Sequence, residues 1–187
     1  MKRIAVLFSG EGSNLHNLIE TLHRKECLIV CALTNNPHAG GIAKARHADI
    51  PVAISDHRHY ASREAFDADL VTTLQPYNID LVVMAGFMRI VTPTFTSAFR
   101  AINIHPSLLP HFKGSRAIER SFEANEPHAG ATVHWVSEEL DSGSIILQHS
   151  FQRCSDDSFE QFRTKIRAIE YEILPKAIVA VLHQSQV

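Results

Sequence analysis

"RIAVLFSGEGSNLHNLIETLHR", residues 3–24, decides the fold. Its first part, RIAVLFS (3–9), is a short apolar run closed by a Ser-Gly turn signal, the pattern of a strand buried on both faces. Its last part, NLHNLIETLHR (14–24), sets Leu15, Leu18, Ile19 and Leu22 at helical spacing. Between them SGEGSN (9–14) is a tight glycine turn. Strand, glycine turn and helix in that order open a parallel α/β sheet.

The chain repeats the pattern. LIVCALT (28–34), PVAIS (51–55), IDLVVMAG (79–86) and AINIH (101–105) read as further strands. AGGIAKARHA (39–48) and SREAFDADLVTTLQPY (62–77) read as helices between them, the second capped by Ser62. TPTFTSAF (92–99) suits a short helix with Pro93 in its first turn. The pattern then changes. AIERSFEAN (117–125) reads as a helix, GATVHWVS (130–137) alternates like a half-exposed strand, and GSIILQHSFQR (143–153) reads as its neighbour. A terminal helix spans 157–184, with a bend expected at Pro175. We expect one α/β domain over 1–187. Its sheet is Rossmann-like and mostly parallel, with helices on both faces and an antiparallel strand addition at its C-terminal side.

Composition narrows the function. The 187 residues carry a formal charge of -2 and 45% apolar residues, as an ordinary globule does. No basic surplus points to nucleic acid. No apolar run reaches the ~18 residues of a membrane helix, and Glu11 and Gly12 interrupt the N-terminus before a signal-peptide core forms. A cytoplasmic protein without a membrane partner is expected. Three cysteines, Cys27, Cys31 and Cys154, read as buried free thiols, and no fourth soft ligand stands at zinc spacing. Of twelve histidines, His16, His23, His47, His57, His59 and His183 sit in polar contexts and read as surface residues. Only His105 and His134 stand where a strand is buried.

In open parallel sheets ligands bind beyond the carboxyl ends of the strands. The first such place is SGEGSN. The helix N-terminus there offers free N–H groups and partial positive charge to an anion, with Ser13 and Asn14 as side-chain donors. Leu15 replaces the third glycine of a dinucleotide fingerprint, and no Walker lysine follows. A phosphate monoester fits the turn; a plain turn capped by Ser13 is the alternative. Glu11 is unfavourable beside a phosphate unless it points to solvent.

The second place is the end of AINIH. Residues two apart on a strand face the same side, so Asn103 and His105 project together, and Pro106 ends the strand. An amide and an imidazole can serve an oxyanion and a proton in acyl transfer. Asp141, in the turn closed by Gly143, supplies a carboxylate that would hold His105 and raise its pKa. No G-x-S-x-G elbow appears, so direct transfer between two bound substrates is favoured over an acyl-enzyme.

FSGEGSNL, AGFMRI, INIHPSLLP, GATVHWV and LDSGSIILQ, in this order and spacing, resemble the phosphoribosylglycinamide formyltransferase family of folate-dependent purine biosynthesis enzymes. The resemblance runs from Arg3 to about Pro175. It implies that Gly12, Ser13 and Asn14 hold the phosphate of glycinamide ribonucleotide, and that Glu170 lies near its amine. It implies that Met88, Arg89, Ile90 and Val91 border the folate pteridine largely through backbone groups. Arg63 would reach the folate, and Ser137, Glu138, Glu139, Leu140 and Asp141 would line its pocket beside Asn103. Asn103, His105 and Asp141 match the family's catalytic trio. Arg116, in a loop that varies in the family, is a second candidate for the folate glutamate tail.

The resemblance further implies a co-substrate, 10-formyltetrahydrofolate, no metal and no nucleic acid, in a monomer or a homodimer. A formyltetrahydrofolate deformylase, or a sugar or amine formyltransferase, is the alternative. A methionyl-tRNA formyltransferase normally adds a C-terminal domain and a basic surface. A noncatalytic binding module would not need His105 and Asp141 together.

Overall fold

The computed structural model describes residues 1–184. The chain forms two compact units, one of Met1–Ile102 with residues 182–184 and one of Asn103–Val181.

The first unit holds strands β1 (Lys2–Phe8), β2 (Cys27–Thr34), β3 (Val52–Ile54) and β4 (Leu81–Met84), with helices α1 (Ser13–Thr21), α2 (Gly41–His47), α3 (Arg63–Leu74) and α4 (Pro93–Thr96). Pairs β1–β2, β1–β4 and β2–β3 are parallel. Ile4 to Phe8 are fully buried, as the uninterrupted apolar run predicts. Ser62 caps α3, its hydroxyl accepting the Ala65 N–H at 3.1 Å. Phe66, Leu70 and Leu74 of α3 are buried in the core. Cys27 and Cys31 of β2 are buried too, and burial pushes both thiols up to about 11. Cys154 is exposed, against expectation. His23 and His57 are half-buried and bonded, His23 to the Ile29 N–H and His57 to Asn35, so neither is a free surface histidine.

Strand β5 (Ala101–His105) carries the chain from the first unit into the second. The second unit adds α5 (Ala117–Glu123), β6 (His128–Trp135), β7 (Ile145–Gln152) and α6 (Phe159–His183). The hydrogen-bonded strand order is β3-β2-β1-β4-β5-β6-β7, and β6–β7 is antiparallel. Helix α6 continues through Pro175. Phe162 and Ile166 of α6 pack on Ala129 of β6, with Ile118, Phe122 and Phe151 around them. Among the described residues no helix is long and apolar enough to cross a membrane.

Strand β6 corrects one expectation. It is buried along nearly its whole length rather than on one face. Its alternating polar residues point at protein, not solvent. The Thr132 hydroxyl donates to the Ser107 carbonyl at 2.7 Å and accepts from the Leu109 N–H at 3.1 Å and Gln148 Nε2 at 2.8 Å. A buried hydroxyl with all its bonds made costs little, so the alternation signals a polar interior contact here. The exposed edge is β7.

Candidate active site

In the second unit, β5 ends on Asn103 and His105. Alternation sets them on one side, while Ile102 and Ile104 are buried between and beside them. His105 is 6% exposed. Its Nε2 lies 2.8 Å from the Phe112 carbonyl, so that nitrogen carries a proton and donates. Its Nδ1 faces Asp141 Oδ2 at 3.4 Å.

Asp141 reaches this point because its backbone is left-handed, with φ at +49°, a conformation Asp tolerates better than most residues. Its side chain is 7% exposed. Oδ2 also accepts the Gly114 N–H at 2.8 Å, which ties the 112–115 loop to the carboxylate. Gly143, two residues on, packs against the Trp135 carbonyl, where a Cβ would sit at 1.7 Å. Only glycine lets this turn lie on β6.

His134 completes the cluster. It is buried, with Nε2 at 3.1 Å from Asn103 Nδ2 and 3.6 Å from Asp141 Oδ1, and Nδ1 at 2.9 Å from the Trp135 carbonyl. The carbonyl draws the ring proton to Nδ1, leaving Nε2 to accept from the Asn103 amide. The carboxylate of Asp141 thus lies between two imidazoles, one of which orients the asparagine. The sequence marks His134 as a buried strand histidine but assigns it no part. The usable signal was its place on an alternating strand with Thr132.

The electrostatics differ from expectation on one point. Burial pulls the His105 pKa down by more than the Phe112 carbonyl and Asp141 push it up; His134 and Arg120 add to the lowering. Asp141 was expected to leave His105 with a raised pKa, but desolvation of the imidazolium wins. Burial pushes the Asp141 carboxyl up, but His134, the Gly114 N–H and His105 hold it below the ordinary carboxylate range. At neutral pH this is an ionised carboxylate beside a neutral, Nε2-protonated His105. Arg120 of α5 fixes the loop, donating to the carbonyls of Phe112 at 3.2 Å, Ser115 at 3.1 Å and Lys113.

Of the other expected positions in this unit, Ser137, Glu138, Glu139 and Leu140 lead into Asp141, all four exposed. The Ser137 hydroxyl donates to the Glu139 carbonyl at 3.0 Å. Glu170 is half-buried on α6. Arg116 is exposed at the start of α5.

The first unit carries the remaining positions. Gly12 caps α1 with φ at +65°, and a Cβ there would meet Gly41 Cα at 2.7 Å. Both facts require glycine. No side chain caps this helix, so the alternative of a plain turn capped by Ser13 does not form. An uncapped N-terminus keeps its donors for an outside acceptor. Asn14 is buried, and its Oδ1 has no partner among the described residues. Glu11 is exposed, and Lys44 donates to its carbonyl, setting a cation at the turn. Met88 and Ile90, 69% and 41% exposed, stand out beside buried Val91. The Arg89 guanidinium lies 5.9 Å from the Phe66 ring centre. Arg63 is exposed in the first turn of α3. Among the described residues no group of three or more His, Cys, Asp and Glu is gathered as metal ligands.

Comparison with known proteins agrees with this geometry. Residues 2–178 match the family described as formyl transferase. A phosphoribosylglycinamide formyltransferase of Haemophilus influenzae is 39% identical over 182 residues, 95% of this chain and 86% of its own. The crystal structure of the Campylobacter jejuni phosphoribosylglycinamide formyltransferase superposes with a TM-score of 0.94 at 47% identity, covering 97% of each chain. That of the Streptococcus pneumoniae enzyme gives 0.91 at 34% identity, covering 97% of this chain and 99% of its own. A strand-end Asn and His facing a turn carboxylate, on a chain matched over nearly its whole length, place this protein in the formyl transferase family, among its phosphoribosylglycinamide formyltransferases.

Proposed function

We propose that the protein moves the formyl group of 10-formyltetrahydrofolate directly to the amine of glycinamide ribonucleotide, with Asn103, His105 and Asp141 as its catalytic groups. The observation that carries the assignment of these residues is the cluster itself. An amide donor and an imidazole N–H share one strand face, and one ionised carboxylate lies between that imidazole and His134, which orients the amide.

The amine nitrogen attacks the formyl carbon, and the carbonyl electron pair moves onto oxygen. Asn103 Nδ2 and His105 Nε2–H donate to that oxyanion, the formyl oxygen taking the acceptor place now held by the Phe112 carbonyl. The proton that the attacking amine releases is held on the Asp141–His105 pair, where the oxyanion charge favours the imidazolium and Asp141 at Nδ1 stabilises it, until N10 takes that proton. Collapse of the intermediate breaks the carbon–N10 bond. The proton lost by the amine matches the one N10 gains, so no net acid or base is consumed.

Gly12, Ser13 and Asn14 hold the ribonucleotide phosphate on the N-terminus of α1, and Glu170 faces its amine. Met88 to Val91, Arg63 and Ser137 to Leu140 take the folate. Purified protein given a 10-formyl folate with glycinamide ribonucleotide, water or methionyl-tRNA tests the reading. Folate product only with glycinamide ribonucleotide is expected. Product with water alone would make the protein a deformylase.

A further inference from the structure

Ser9 has no polar group to spare. Its N–H donates to the Gly86 carbonyl at 2.9 Å, and its carbonyl accepts from Asn36 Nδ2 at 3.1 Å. Its hydroxyl accepts the Met88 N–H at 2.8 Å and donates to Asn35 Oδ1 at 2.5 Å. The direction is forced, because a peptide N–H can only donate. Asn35 is 5% exposed and is held in turn by His57 Nδ1, 3.1 Å from its Nδ2. Ser9 is therefore saturated, and its hydroxyl serves Met88.

The other end of the same segment is held likewise. Asp67 of α3, fully buried, accepts the Thr92 N–H at 2.5 Å and the Thr92 hydroxyl at 2.7 Å, both on Oδ2. Its Oδ1 is buried and has no partner among the described residues, and burial pushes the carboxyl up. A carboxylate in such a place is unfavourable in itself. It is retained where it fixes the residue that follows Val91. Between the two anchors the main chain leaves the apolar side chains of Met88 and Ile90 outside.

We propose that Ser9 and Asp67 are positioning residues for the folate: they touch no substrate, and they fix the Met88–Val91 backbone whose polar groups and apolar side chains receive it. The inference rests on the assignment of Met88–Val91 to the folate. Ser9 belongs to the strand end that leads into the phosphate turn, so one hydroxyl sets the folate segment from the base of the other substrate's site.

The test uses Ser9→Ala and Asp67→Ala, with Ser9→Thr and Asp67→Asn as variants that keep an acceptor. Each alanine should raise the KM for the formyl folate about tenfold, the size expected when a peptide N–H loses its partner. The KM for glycinamide ribonucleotide should move less than about twofold, because the turn's own backbone bonds, His16 N–H to Gly12 and Gly41 N–H to Gly10, are intact. The Thr and Asn variants should recover most of the loss. Amide exchange at Met88 and Thr92, read in the same variants without substrate, should accelerate in the alanines alone. Unchanged exchange overturns the anchoring. Faster exchange with an unchanged folate KM overturns its link to folate. If wild-type protein accepts no folate, the assignment of the segment fails, and exchange alone decides the anchoring. Asp67→Ala empties a fully buried site; should it not fold, Ser9→Ala carries the test.

Discussion

Replacing Asp141 by Asn keeps the shape of the side chain and removes its charge. At the observed 3.4 Å to His105 Nδ1, a unit charge pair at an effective dielectric of about 20 is worth roughly 5 kcal/mol. Water and the residual dipole of the amide return part of this, so a net loss of about 3 kcal/mol is reasonable. The sign is fixed. Asp141 pushes the His105 pKa up against burial, His134 and Arg120, so its loss lets the value fall further below the ordinary one. An imidazolium that forms with the oxyanion then costs more, and kcat should drop at least ~100-fold. The Gly114 N–H keeps an amide oxygen as acceptor, so the fold should survive. An NMR titration of the His105 ring and a kcat–pH profile measure the two effects. A His105 pKa that rises or stays put, or a kcat within about threefold of wild type, would refute the reasoning. The same variant reports on acid stability. The Asp141 pKa is depressed in the fold, so its stabilisation is present above the unfolded-state value and is lost as pH falls through the folded one. The substituted amide cannot titrate, so urea unfolding of Asp141→Asn should depend less on pH below about 4.

Three further perturbations are decided by the same geometry. His134→Ala removes the acceptor that orients the Asn103 amide, and kcat should fall about tenfold with both KM values little changed. Gly12→Val sets a branched side chain at positive φ with its Cβ against Gly41; it should destabilise by roughly 2 kcal/mol or more in urea unfolding and raise the KM for the phosphorylated substrate. Thr132→Val strips a buried hydroxyl from three partners and should cost about 2–4 kcal/mol by the same method.

Much of this was legible in the chain because it is local. The apolar runs from Arg3 to His105 are strands because each is short, unbroken and closed by turn residues. Asn103 and His105 share a side by the period of the strand alone, and Ser62 caps its helix through its nearest neighbours. What was not legible depends on partners distant in sequence. Thr132 looks like the solvent face of a strand, and buried His134 has no assignable part, until Ser107, Leu109, Asn103 and Asp141 are brought against them. The Ser13 cap failed because Gly12 takes the capping position with a left-handed backbone. The direction of the His105 pKa required its burial, which composition does not reveal. Ser9 meets Met88 across 79 residues, and Asp67 meets Thr92 across 25, so neither anchor has a local signature.

The central claim is that formyl transfer runs through His105 and the asparagine beside it. Its most direct test is the single-turnover rate of transfer to glycinamide ribonucleotide in His105→Ala and Asn103→Ala, with both substrates saturating and their binding measured separately. The account predicts a rate at least ~100-fold below wild type in each, with binding of both substrates retained. A rate within about threefold of wild type in either variant would remove that residue from the mechanism.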